Sequence, residues 1–136
     1  MRYMMLIYSK ENPQGMTPEE GRQLRAAHRR VMEEGVAKGV LRGAEPLSPT
    51  TTATTVRMHD GKAIVTDGPF AETKEQLAGY YIIDCENLDE AIEWAAKIPT
   101  CCKGGEGCIE IRPMPGLRAV SEKGEPVVEQ VVALNG

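Results

Sequence analysis

No stretch of this 136-residue chain holds the roughly 18 consecutive apolar residues that a membrane-spanning helix needs, so no such span is expected. The opening MRYMMLIYSK has a short apolar run after Met1 and Arg2, but it passes into Lys10 and Glu11 without a small-residue cleavage pattern. That argues against a signal peptide and for a cytoplasmic location. Extended clusters of Lys and Arg are also lacking. With a net charge of −4 and a pI near 5.3, direct nucleic-acid binding is not expected, because phosphate contacts draw on such clusters. The four cysteines, Cys85, Cys101, Cys102 and Cys108, form no CxxC pair, and neither His28 nor His59 lies near them in sequence. Zinc would require Cys85 or a histidine to converge on the CCKGGEGC loop, so reduced thiols are expected and no metal site is assigned. Vicinal Cys101 and Cys102 leave a redox or thiol-modification point open. No Gly-rich nucleotide loop is evident, and no cofactor is expected.

What is present points to one folded domain. A hydrophobic fraction of 41% over this length supports a single core. Arg2 to Tyr8 is apolar on both alternating faces, which predicts a central strand covered on both sides. Thr17, Pro18, Glu19 and Glu20 form a helix start, with Thr as N-cap and Pro at the first helical position. The helix should run to Lys38 and stop at Gly39. Leu24, Ala27, His28, Val31, Met32 and Gly35 form its inward stripe, so His28 is expected to face the core or a pocket.

Val40 to Pro49, broken by Gly43, Pro46 and Pro49, reads as an extended connection. Thr50 to Met58 and Lys62 to Thr66 read as strands of a hairpin turned by Asp60 and Gly61. Gly79 to Cys85 is a further strand. A second helix begins at Asn87 and ends before Pro99, with Leu88, Ala91, Ile92, Ala95 and Ile98 inward and Trp94 between that stripe and its rim, most simply as packing. Cys108 to Arg112 is the last strand. With the hairpin taken as one unit, the order gives an α+β, ferredoxin-like antiparallel sheet with two helices on one face. Two helices on one side cannot cover Tyr3, Met5, Ile7, Tyr80 and Ile82 together. The uncovered face is therefore expected to pack on a second copy, making a homodimer.

The densest polar chemistry lies in Asp67 to Tyr81, DGPFAETKEQLAGYY. Loops on a rigid scaffold are where function concentrates. Asp67 ends a strand in phase with Ala63 and Val65, and either caps the Gly-Pro turn or faces a cleft. If ETKEQL is a helical turn, Glu72 and Gln76 share a face, and Lys74 and Glu75 form a solvated pair. Glu72 is then the candidate second carboxylate. Tyr80 and Tyr81 point to opposite sheet faces, one to core or interface and one to a pocket. Tyr80 is the ligand-binding candidate. Arg57 and Arg112 end strands and suit an anionic ligand, although surface ion pairing is the commoner fate of such residues.

The string VTDGPFAETKEQLAGYYIID resembles the signature of the DGPF, or YCII-related, family, and the likeness continues through LDEAIEWAAKIP and IEIRPM. It covers roughly residues 1 to 114, leaving 115–136 as a tail, read as a dimer-edge strand or a mobile end. The CCKGGEGC loop and the tail go beyond the common pattern. The resemblance implies a ferredoxin-like fold paired as a dimeric α/β barrel. It also implies a polar site built on a first-helix histidine and the aspartate of the DGPF string, here His28 and Asp67.

A carboxylate beside a histidine fixes its tautomer and raises its basicity, leaving the other nitrogen to move a proton. Two functions follow as expectations. One is a cofactor-independent isomerase or lyase acting on a small organic acid or ring, with His28 as base and Asp67 as its orienter. The other is a non-catalytic ligand-binding or regulatory module. Its partner would be an extracytoplasmic-function sigma factor, as the resemblance suggests.

Overall fold

A computed structural model describes residues 1–100, 107–116 and 123–124. The vicinal Cys101–Cys102 pair and nearly all of the tail lie outside the described residues.

The first strand, β1 (Arg2–Ser9), lies inside the main sheet, as its two apolar faces predict. Helix α1 (Pro18–Ala37) starts where the capping residues place it, with the Thr17 hydroxyl accepting from the Glu20 N–H at 3.1 Å. Next comes β2 (Leu41–Pro46), followed by a 3-10 turn at Thr50–Thr52 and the strands β3 (Thr54–His59) and β4 (Lys62–Asp67). The chain continues through β5 (Gln76–Asp84), α2 (Leu88–Ala95) and β6 (Gly107–Pro113). Asn87 caps α2 by accepting from the Glu90 N–H at 3.0 Å.

The four-stranded sheet has the order β2-β5-β1-β6, and every neighbouring pair is antiparallel. This is the interleaved β-α-β arrangement of a ferredoxin-like α+β fold. Its core lies between the helices and one sheet face, where Tyr3, Met5, Ile7, Tyr81 and Ile83 meet Val31, Ala91, Trp94 and Ile98. Burying side chains of this size is worth about 1.5–3 kcal/mol each, so this layer supplies most of the driving force.

Four sequence expectations are corrected. The sheet's second strand is Leu41–Pro46, read above as a connection, and the hairpin is not part of the sheet. The β3 and β4 strands pair only with each other. Gly43 and Pro46 masked β2, yet an edge strand tolerates proline, and the strand shifts register between Leu41 and Gly43. Thr50–Thr52 is a helical turn, not a strand. In α2, Trp94 is core, whereas Leu88 and Ile92 are about half exposed at 52% and 50%.

The dimeric barrel is the fourth correction. The sheet is open, with β2 and β6 as its two edges, and the described residues give neither barrel closure nor a homodimer any support. The argument for a second copy placed residues of both faces on one. Register pairs Met5 with Tyr81 and Leu6 with Tyr80. Tyr3, Met5 and Ile7 therefore share the helix-covered face with Tyr81 and Ile83, while Tyr80 and Ile82 lie opposite with Met4 and Leu6, half-buried.

Where β5 passes β2, Gly79 permits a close approach. A Cβ there would lie 2.7 Å from the Glu45 carbonyl oxygen, closer than real contacts allow.

Candidate functional site

His28 sits on the inward stripe of α1, half-buried, as its spacing predicts. Its partner is Tyr81. The His28 Nδ1 and the Tyr81 hydroxyl oxygen are 2.7 Å apart, with ring centroids at 5.8 Å and planes tilted by 40°. Tyr81 is 3% exposed and fixed in the middle of the sheet by β1 and β2, opposite Met5 and Ala44. Burial pushes the Tyr81 phenol up to about 12 and pulls the His28 imidazole below its ordinary value. At neutral pH both groups are therefore uncharged, joined by a neutral hydrogen bond. The Tyr81 hydroxyl also lies 3.5 Å from the His28 carbonyl oxygen, at the outer limit of a bond.

The sequence reading favoured Tyr80 for the pocket and left Tyr81 to core or interface. The signal that singles out Tyr81 is alternation: it is in phase with Ile83 on the face that the first helix covers. Tyr80 projects from the other face, where its register partners are Leu6 and Glu45.

Asp67 ends β4 opposite Thr54 and is exposed, and its side chain has no hydrogen bond or ion pair among the described residues. The glycine after it closes the base of the hairpin. The Gly68 N–H donates to the Ala53 carbonyl at 2.7 Å, and the Thr55 hydroxyl donates to the Gly68 carbonyl at 2.8 Å. Its φ of +98° is open to glycine and strained for other residues, which gives the DGPF string a structural role beside any chemical one.

Residues 71–75 form bends rather than a helical turn, so the face shared by Glu72 and Gln76 does not arise. Glu72 is exposed and makes no bond among the described residues. No ion pair joins Lys74 to Glu75, whose carboxylate instead lies 3.7 Å from the Cys108 thiol. Arg57 is exposed in the hairpin opposite Ile64, and Arg112 pairs with Glu110 at 3.5 Å. No hydrogen bond or ion pair links any two of His28, Asp67, Glu72, Tyr80 and Arg57. Among the described residues no three potential metal ligands converge. None of their helices is long and apolar enough to cross a membrane.

One polar junction has no warning in the sequence. The Glu11 carboxylate accepts from both the Thr50 N–H and the Thr50 hydroxyl at 2.8 Å, while the Glu11 N–H donates to the Gln76 side-chain carbonyl, also at 2.8 Å. It ties the segments before and after the hairpin to the end of β1. A separate cleft of about 260 Å³ is lined by Met1, Arg2, Asp84 and Met114–Gly116, and includes none of the candidate residues.

A protein of Rhizobium meliloti (strain 1021), itself described as uncharacterised, is 41% identical over 119 residues, covering 84% of this chain and 92% of the relative. Residues 1–115 match the YCII-related domain, and the chain belongs to the YCII-related family.

Proposed function

We propose that this YCII-related protein holds a cofactor-independent site for a small organic acid or substituted ring, centred on His28, at which a proton is moved in an isomerisation or elimination. The observation that carries the reading is the half-buried imidazole held 2.7 Å from a buried phenol. A histidine kept neutral and oriented by a fixed partner is suited near neutral pH to proton transfer or to polarising an oxygen beside the transferred proton. Its second ring nitrogen has no partner among the described residues and is the atom a ligand would meet. In this reading Tyr81 takes the orienting role expected of Asp67. Asp67 and Glu72 are then carboxylates that the hairpin and its exit loop present to the ligand, with Tyr80 and Arg57 as further ligand contacts to be tested.

The test is isotope exchange. A panel of small keto, unsaturated and hydroxyaromatic acids is incubated with the protein in D₂O and followed by proton NMR. Exchange or isomerisation of one of them is expected, falling at least about 100-fold in His28→Gln, the scale of losing a positioned acid-base group. Full turnover in His28→Gln would overturn the reading.

A second reading is a regulatory module acting through protein contact, with an extracytoplasmic-function sigma factor as the candidate partner. It is favoured by the hairpin, where Val56, Met58, Ile64 and Val65 are all exposed. Binding to a purified sigma factor of that class, lost in Met58→Asp, is its expected signature. Binding unchanged by that substitution would remove the hairpin from it.

A further inference from the structure

We infer that Tyr81 is a positioning residue that holds His28 with its proton on Nε2, so that His28 offers a ligand a hydrogen-bond donor for a carbonyl or carboxylate oxygen. The inference rests on the reading of His28 as the centre of the site and deepens it by naming the atom presented and the ligand group it takes.

The phenol has one hydrogen, and two acceptors lie within reach: His28 Nδ1 at 2.7 Å and the His28 carbonyl oxygen at 3.5 Å. If the hydroxyl served the carbonyl, Nδ1 would have to carry a hydrogen and donate it to the phenol oxygen. That arrangement spends the hydroxyl proton on the long contact. The phenol proton is better used on the short contact, with O–H donating to Nδ1. Burial keeps the phenol protonated and the imidazole neutral, so one ring nitrogen of His28 carries a hydrogen and the other accepts. A neutral imidazole that accepts at Nδ1 carries its hydrogen on Nε2. Neither ring can easily turn away: Tyr81 lies between β1 and β2, and His28 is half-buried on α1.

The chemical consequence changes the division of labour. An Nε2–H group does not accept a proton, and releasing one would leave an imidazolate, so His28 polarises an acceptor oxygen instead of removing a proton. Abstraction then falls to a carboxylate. Asp67 and Glu72 are the carboxylates that the proposed function already assigns to the ligand, and neither side chain is engaged by another described residue. A ligand suited to this arrangement carries a carbonyl or carboxylate oxygen for Nε2–H and an acidic C–H beside it.

The test reads the proton directly. With only two histidines in the chain, His28 can be assigned in ¹⁵N-labelled full-length protein by comparison with His28→Gln. Long-range ¹H–¹⁵N spectra at neutral pH should show His28 Nδ1 unprotonated and Nε2 protonated. The Tyr81 hydroxyl proton should exchange slowly with water and couple to Nδ1 through the hydrogen bond. Tyr81→Phe keeps the buried ring, and its fold is checked by circular dichroism. It should lose that proton signal and give a mixture of the two tautomers. A directly bonded proton on Nδ1 in the wild type, or a tautomer ratio unchanged in Tyr81→Phe, would overturn the inference. The isotope-exchange panel decides separately whether His28 is a site at all. Exchange retained in His28→Gln sinks that reading and the ligand half of the inference, whatever the tautomer spectrum shows.

Discussion

The four-stranded sheet and the β3–β4 hairpin draw on similar apolar residues and end in opposite states. Along β1 and β5 every second side chain is locked under a helix, and Met5 and Ile83 are fully buried. The hairpin carries Val56, Met58, Ile64 and Val65 in equally clean strands, yet all four are exposed. Strand-forming residues and a turn that fits, at Asp60 and Gly61, are therefore enough to form a ribbon and not enough to bury it. Burial requires a covering element, and the helices cover only one face of one sheet. The contrast places His28 and Tyr81 in the rigid region, and Asp67, Arg57 and the exit loop in the exposed one.

The largest effect should come from making the same change in both regions. Met5→Ala should lower unfolding free energy by about 2–5 kcal/mol in denaturant titrations, as for other fully buried large-to-small changes. Met58→Ala should stay within about 0.5 kcal/mol, as for exposed positions. Equal losses would mean that the hairpin is packed. Next is Gly79→Ala, where the added carbon meets the Glu45 backbone oxygen and cannot be accommodated by a side-chain rotation. A loss of about 1–3 kcal/mol is expected from such overpacking.

A smaller effect follows from His28. Burial holds its pKa below the ordinary 6.5, so as pH falls through that value the unfolded chain takes up a proton before the folded one does. The unfolded state is stabilised in that window, and stability present above pH 6.5 declines as the solution is acidified towards the folded pKa. Replacing His28 with Gln should flatten that part of the curve of unfolding midpoint against pH. A curve of unchanged slope would show that the imidazole is not shielded.

The smallest concerns the surface of the covered region. Lys97 and Lys38 lie 4.6 and 5.7 Å from the Trp94 ring centroid and both pair with Glu34, whose carboxyl they hold below its usual range. Exposed pairs contribute little, so Lys97→Gln should leave stability nearly unchanged. It should nonetheless shift the fluorescence of the sole tryptophan, and an unaltered spectrum would contradict the stacking.

Local signals were legible in the sequence where local chemistry decides the outcome. Thr17 and Asn87 cap their helices, Asp60 and Gly61 turn the hairpin, and His28 faces inward as its spacing indicates. The misses are those that need a partner distant in the chain. Leu41–Pro46 becomes a strand only because the edge of β5 is free to receive it, which overrides its glycine and proline. Trp94 is buried because its phase on α2 faces the sheet, whereas Leu88 and Ile92, read as part of the inward stripe, are exposed. The candidate site shows the same division. His28 could be named from one helix, but its bond to Tyr81 spans 53 positions and depends on the register of β5 under α1. The Glu11 junction joins residues 39 and 65 positions away, and nothing in any one of those segments announces it.

The central claim is that a small acid is received at His28, and the most direct measurement is an NMR titration of the labelled wild-type protein with the same panel of small organic acids. The account predicts saturable shifts at the His28 ring and the Tyr81 backbone, together with responses at Asp67 or Glu72. Saturable binding whose shifts leave His28 and Tyr81 untouched, or no binding by any member of the panel, would contradict it.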